Sequence, residues 1–159
     1  MQKIVTHLAF KSDAEGAVDF YTSVLPDSRI TGLTRFRADD EHGQEGSVQT
    51  IRFELLGQKF LAVNGGEEFS FAEGTSLLVP CETQEEIDAV WDAFMAEGAT
   101  PQACGWLTDR WGLTWQIVAA VTEEYLYGDD AEASGRVLDA TYGMVKIDLA
   151  ETERAFRGR

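Results

Sequence analysis

At 159 residues the chain fits one domain of ordinary size, long enough to bury a core. Apolar residues make up 44% and charged residues 26%, the balance of a soluble globular protein rather than a disordered chain. With 13 basic residues against 28 acidic ones the net charge is −15 at pH 7, which repels phosphate backbones and anionic lipid and argues against nucleic acid and membrane surfaces as partners.

The opening MQKIVTHLAF has neither the long apolar stretch nor the small-residue cleavage site of a signal peptide, so the expected location is cytoplasmic. Cys81 and Cys104 are then expected to be reduced. Neither belongs to a CxxC pair, which leaves a structural zinc site without support.

In chain order, the apolar run Ile4 to Phe10 reads as a strand, with Ser12 or Asp13 as a cap for a helix after it. Ala14, Ala17, Val18, Phe20, Tyr21, Val24 and Leu25 recur at helical spacing, and Pro26 ends that helix. Arg29 to Phe36 reads as a second strand. Arg37 to Gly46 is polar, with two glycines and four acidic residues, and reads as an exposed, mobile loop. Ser47 to Leu56 and Lys59 to Asn64 form a hairpin turning at Leu56-Gly57-Gln58.

The same order then recurs. Thr75 to Cys81 reads as a strand, Thr83 as a cap, and Gln84 to Glu97 as an amphipathic helix stopped by Gly98. Extended segments come next, at Gln102 to Leu107 and Leu113 to Ala119. A shift of about seventy residues lays Ala17, Phe20, Tyr21, Val24 and Leu25 over Ile87, Val90, Trp91, Phe94 and Met95, so the apolar faces of the two helices coincide. From Thr122 onward the chain reads as two or three short helices.

The stretches THLAFKSDAEGAVDFYTSVLPDSRI, FLAVNGG at Phe60 to Gly66, CGWLTDRWGLTWQIV at Cys104 to Val118, and KIDLAETERAF resemble the PhnB-like branch of the vicinal oxygen chelate superfamily. That superfamily includes glyoxalase I, extradiol dioxygenases and bleomycin- and fosfomycin-resistance proteins. Members of this branch often carry the label 3-demethylubiquinone-9 3-methyltransferase. The sequence has no glycine-rich strand-to-helix loop for S-adenosylmethionine, so that activity is not carried over.

The resemblance implies an α+β fold: two βαβββ modules whose curled mixed sheets surround a cavity, plus a C-terminal helical tail. The expected boundaries are a glyoxalase-like domain at 1–121, with module one at about 1–66 and module two at about 74–121. The tail is 122–159, packed on the domain or on a partner.

It also implies where metal ligands would stand in the superfamily's enzymes, on the first and last strand of each module. His7 occupies a first-ligand position, on one strand face with Val5 and Ala9. On the last strand of module one, Phe60, Ala62 and Asn64 are expected to face the cavity; Ala62 cannot ligate and Asn64 offers a weak, neutral oxygen. Gln116 falls about where a glutamate is common. A set without a carboxylate leaves a divalent ion poorly neutralised, so the metal site is expected to be degenerate, with His7 and Gln116 its surviving ligands if one exists.

The bland reading makes His7 a cavity-lining or core histidine, and Asn64 before Gly65-Gly66 a turn former. Cys104 is a candidate nucleophile if His7 or Arg110 activates it, and otherwise a buried, inert thiol. Trp106 and Trp111 wall a ligand pocket or simply fill the fold, whereas Trp91, Trp115 and Ile117 belong to the core. Asp39-Asp40-Glu41 and Glu123-Glu124 read as solvated surface.

The expected function is binding, with or without transformation, of a small metabolite in the cavity, with His7, Asn64, Trp106 and Gln116 as its contacts. The alternatives are a metal-dependent isomerase, lyase or dioxygenase, and a protein that sequesters a drug without chemistry. No cofactor beyond a divalent metal is implied. Free strand edges and the tail face of Val137, Leu138, Tyr142, Val145 and Leu149 lead to the expectation of a homodimer; a tail folded back onto its own barrel is the alternative.

Overall fold

A computed structural model describes residues 4–41, 43–72 and 74–158. The chain divides into two compact units, residues 1–71 and 72–159.

The N-terminal unit runs β1 (Thr6–Phe10), α1 (Ala14–Val24), β2 (Arg29–Arg35), β3 (Val48–Leu55) and β4 (Gln58–Asn64). The sheet order is β1-β4-β3-β2, with β1 parallel to β4 and the other pairs antiparallel. This is the expected βαβββ module, with each boundary within two residues of its reading. The β3–β4 hairpin closes through Leu56 and Gly57, whose positive φ values of 48° and 75° suit the right-handed twist of the paired strands.

Helix α1 buries Ala14, Ala17, Val18 and Tyr21. The matching face of the sheet carries Leu8, Phe10, Ile51, Phe53, Phe60 and Ala62, all buried. Each fully buried side chain of the size of Val18 or Tyr21 contributes about 1.5–3 kcal/mol. The loop expected after β2 is tied at its ends, since Phe36 N–H donates to Ser47 and Gly46 N–H donates to Phe36. Phe36 itself is buried; His42 lies outside the described residues.

Neither Ser12 nor Asp13 supplies the cap expected for α1. Ala14 N–H donates instead to Asn64 Oδ1 at 2.8 Å, and Asn64 Nδ2 donates to the Val48 carbonyl at 2.8 Å. One amide thus joins the start of α1 to β3 and β4, satisfying a first-turn N–H that would otherwise lack a partner.

The C-terminal unit repeats the plan with β5 (Ser76–Cys81), α2 (Gln84–Ala96), β6 (Thr100–Pro101), β7 (Trp106–Thr108) and β8 (Thr114–Ala119). Its order is β5-β8-β7-β6, again with the first pair parallel. Thr83 Oγ1 accepts from Glu86 N–H at 3.2 Å, and Ile87, Val90, Trp91 and Phe94 form the buried face of α2. Phe94 meets Trp115 of β8, with ring centroids 5.1 Å apart.

The strand expected at Gln102 to Leu107 is interrupted. Cys104 (φ 62°) and Gly105 (φ 76°) are both left-handed; β6 ends before the segment, at Pro101, and only Trp106 and Leu107 of it are extended, in β7. Past β7, Asp109 organises the turn into β8. Its Oδ1 accepts from Trp111 and Leu113 N–H, each at 2.9 Å. Its Oδ2 accepts from Trp115 Nε1 at 2.9 Å.

The tail forms α3 (Val121–Tyr127), α4 (Ala131–Tyr142) and α5 (Leu149–Arg157). Asp130 and Asp148 cap the last two through Ala133 and Glu151 N–H. The tail packs on its own unit. Cys104 and Gly105 N–H donate to the Met144 and Val145 carbonyls at 2.8 Å, Gln84 bonds Ile147 and Leu149, and Lys146 pairs with Asp88 at 2.8 Å and Asp92 at 3.3 Å. Tyr125 stacks on Phe156, holding α3 against α5. Among the described residues no helix is long and apolar enough to cross a membrane.

Candidate functional site

In each sheet one face lies under the module's helix and the other does not. On β8 the alternation is as read: Trp115 and Ile117 are buried on the α2 side, which turns Gln116 to the open face. Register places Gln116 between Leu78 of β5 and Trp106 of β7.

The tail crosses part of that open face and borders a half-open cavity of about 460 Å³, a size that suits a small organic ligand. Its floor is Leu78, Trp106, Gln116 and Val118; Cys104 and Ile147 close one side. Above it lie Thr122, Glu123 and Leu126 of α3, with Leu138, Thr141 and Tyr142 of α4. Gln116 Nε2 donates to Ser76 Oγ at 2.8 Å, which uses one of the two amide N–H groups; the carbonyl oxygen and the other N–H are what the amide offers a ligand. Thr122 Oγ1 is buried and has no hydrogen-bond partner among the described residues.

Three of the expected site residues, Cys104, Trp106 and Gln116, therefore share one cavity. The other two lie in the N-terminal unit, on opposite faces of its sheet. His7 is exposed on the open face, opposite Leu61 of β4, so it is not a core histidine. The placement of Phe60, Ala62 and Asn64 on the concave side is corrected. The parallel register Thr6–Phe60, Leu8–Ala62 and Phe10–Asn64 puts them on the buried side beneath α1, where both ends of the Asn64 amide are already used.

The donor set does not fit a divalent ion. The cross-strand neighbour of His7 is Leu61, and those of Gln116 are Leu78 and Trp106; the oxygen beside Gln116 is the Ser76 hydroxyl, a neutral group that adds no charge to hold a divalent ion. Among the described residues no three His, Cys, Asp or Glu side chains converge.

Cys104 is not activated as a nucleophile. Desolvation pushes its thiol above the ordinary range, the reverse of what thiolate chemistry requires. Arg110, considered as its partner, pairs with Glu97 at 2.7 Å and lies over the Trp111 ring, 4.9 Å from its centroid. Trp111 thus carries a surface arginine and is not a cavity wall.

Thr122, Glu123 and Leu126 do not stand out in the sequence as site residues. The available signal is indirect: an apolar tail face that needs a surface to cover.

The comparisons agree with this architecture. Residues 2–118 match the family model described as 3-demethylubiquinone-9 3-methyltransferase; the model ends before α3. A PhnB protein from Bacillus cereus, itself described as a putative 3-demethylubiquinone-9 3-methyltransferase, is 36% identical. The match covers 75% of this chain and 100% of that one, with a TM-score of 0.69. Protein PA1353 from Pseudomonas aeruginosa is 19% identical over 75% of this chain and 98% of that one, TM-score 0.62. The fosfomycin resistance protein FosX from Listeria monocytogenes, at 14% identity over 80% of this chain and 98% of that one, gives a TM-score of 0.60 and shares the fold. No curated protein sequence matches the chain. The chain belongs to the 3-demethylubiquinone-9 3-methyltransferase, or PhnB-like, family of the vicinal oxygen chelate superfamily.

Proposed function

We propose that this protein binds a small, largely apolar molecule in the cavity on the open face of the C-terminal sheet, with Trp106 and Gln116 at its floor. The observation that carries the reading is the half-open cavity itself, about 460 Å³ walled mainly by apolar side chains, in the range of small-molecule sites. Trp106 supplies a flat apolar surface and Gln116 an acceptor that orients the ligand. His7 and Asn64 have no part in this cavity.

Methyl transfer is left out of the proposal. Each unit has a four-stranded mixed sheet with one parallel pair, not the open parallel sheet with a glycine-rich turn that seats a nucleotide-like cofactor. A homodimer in the cytoplasm remains part of the proposal. Strand β2 is a sheet edge with Ile30 and Leu33 exposed, and such edges call for a cover.

The test is a thermal-shift screen of aromatic metabolites and antibiotics against the wild type and Leu138→Trp, which fills the cavity. A ligand at a hundred times its Kd adds about 2.7 kcal/mol, or roughly 5–11 °C for a chain of this size. The variant should lose that shift. A ligand that stabilises both proteins equally refutes the site. Metal analysis of protein purified without chelator tests the degenerate metal site, and stoichiometric manganese, iron, nickel or zinc overturns it. A species near 17.6 kDa by light scattering overturns the dimer.

A further inference from the structure

Among the described residues lining the cavity, Gln116 carries the one side-chain amide, and its two polar atoms stand differently. Nε2 donates to Ser76 Oγ at 2.8 Å. Oε1 takes no bond from any described residue. It is not sealed in the interior, because Thr122 Oγ1 is the only fully buried side-chain N or O atom without a partner among the described residues.

Ser76 is not itself part of the lining. It opens β5, an edge strand, in register with Thr114, while Leu78 stands opposite Gln116. Alternation puts Ser76, Leu78 and Gln116 on the same open face, so the hydroxyl meets the amide diagonally, from behind the floor. Ser76 Oγ makes no other bond among the described residues.

A hydroxyl serves either end of an amide: it accepts from the N–H or donates to the carbonyl oxygen. Turning the Gln116 amide over exchanges Oε1 and Nε2 and still leaves a bond to Ser76. One orientation shows the cavity a carbonyl acceptor, the other an NH2 donor, and in both the atom turned away keeps its partner. Leu78 and Trp106 flank the amide with apolar surface that suits a flat ring.

We propose that Ser76 and Gln116 form an adaptable pair, which lets the cavity bind neutral aromatic molecules that carry either a hydrogen-bond donor or an acceptor. Ser76 is the positioning residue and acts through Gln116. This rests on the reading of the cavity as a ligand site.

Three bicyclic probes of one shape test it: benzothiophene, indole and benzothiazole, titrated calorimetrically into the full chain. Indole adds a donor to the ring and benzothiazole a nitrogen acceptor. Each should bind about three- to fivefold tighter than benzothiophene, the scale of one hydrogen bond. Gln116→Leu should level all three. Gln116→Glu, a carboxylate that only accepts, should keep the gain for indole and lose that for benzothiazole. Ser76→Asp should do the same by holding Nε2 and leaving Oε1 to the cavity, whereas Ser76→Thr should keep both gains. A merely structural role for Ser76 would move all three probes together. A wild type that favours only one of the two polar probes overturns the inference, as do gains that survive Gln116→Leu or a benzothiazole gain that survives Ser76→Asp; each leaves the cavity standing as a ligand site. No binding by any of the three overturns the ligand reading and the inference with it.

Discussion

Asp109→Asn changes one atom in the turn between β7 and β8 and should destabilise the protein sharply. Asp109 is buried and accepts from Trp111 N–H, Leu113 N–H and Trp115 Nε1. In the variant the amide oxygen can keep both backbone bonds, but then its NH2 group faces the indole N–H, donor against donor. Turning the amide over mends that contact and breaks the other two. The loss of a charge-assisted bond and the orphaning of a buried indole together come to about 2–4 kcal/mol, or roughly 4–16 °C in Tm for a chain of this length. Urea unfolding followed by tryptophan fluorescence would measure it. The control is the same change made in Trp115→Phe, where no indole N–H remains to be orphaned and the cost should fall by at least about 1 kcal/mol. A D109N protein within about 0.5 kcal/mol of wild type, the range of ordinary surface changes, refutes the reasoning.

Further outcomes are expected from other parts of the molecule. Asn64→Ala removes the cap of α1 and the bond to Val48 and should cost about 1–3 kcal/mol in urea unfolding; Asn64→Asp keeps the acceptor for Ala14 but sets a carboxylate oxygen against the Val48 carbonyl, so it should not recover the loss. Gly105→Ala places a Cβ at φ 76° against the Ile117 carbonyl oxygen and 2.8 Å from Ile147 Cγ1, so it should lower Tm and raise hydrogen exchange at Cys104 and Gly105, whose N–H groups hold the tail. Burial first, then the Glu86 and Glu82 carboxylates, push the Cys81 thiol up to about 11 from 9.0. Ellman's reagent at pH 8 should therefore modify Cys104 well before Cys81. Between those two values the folded protein holds a proton that the unfolded chain has released. Stability should thus decline as pH rises from 9 toward 11, and decline less in Cys81→Ala.

The modules are legible because their helices and strands carry unambiguous periods. Ile87, Val90, Trp91 and Phe94 fall at helical spacing, and Trp115-Gln116-Ile117 alternates clearly between buried and open. Strand β4 defeats the same logic. Phe60, Leu61, Ala62 and Val63 are all apolar, so alternation carries no sign there, and the parallel register with β1 decides which face is which. The break at Cys104 is hidden for a different reason: a non-glycine residue at positive φ has no marker in the sequence. That Thr122 and Leu126 line the cavity depends on where α3 lies over the sheet, a tertiary fact that neither residue type nor spacing encodes. Asp109 reads in the sequence merely as part of a connecting turn, although its three donors lie within six residues of it.

The anchoring of the tail bears on how such an extension is acquired. Two of its attachments are made to the main-chain N–H groups of Cys104 and Gly105 by the Met144 and Val145 carbonyls, and amide groups belong to every residue except proline. A segment that docks on peptide groups asks little of the host's side chains. It can be gained or exchanged in evolution while the host domain keeps its core. The residues it brings over the open face can then diverge independently of the scaffold beneath them.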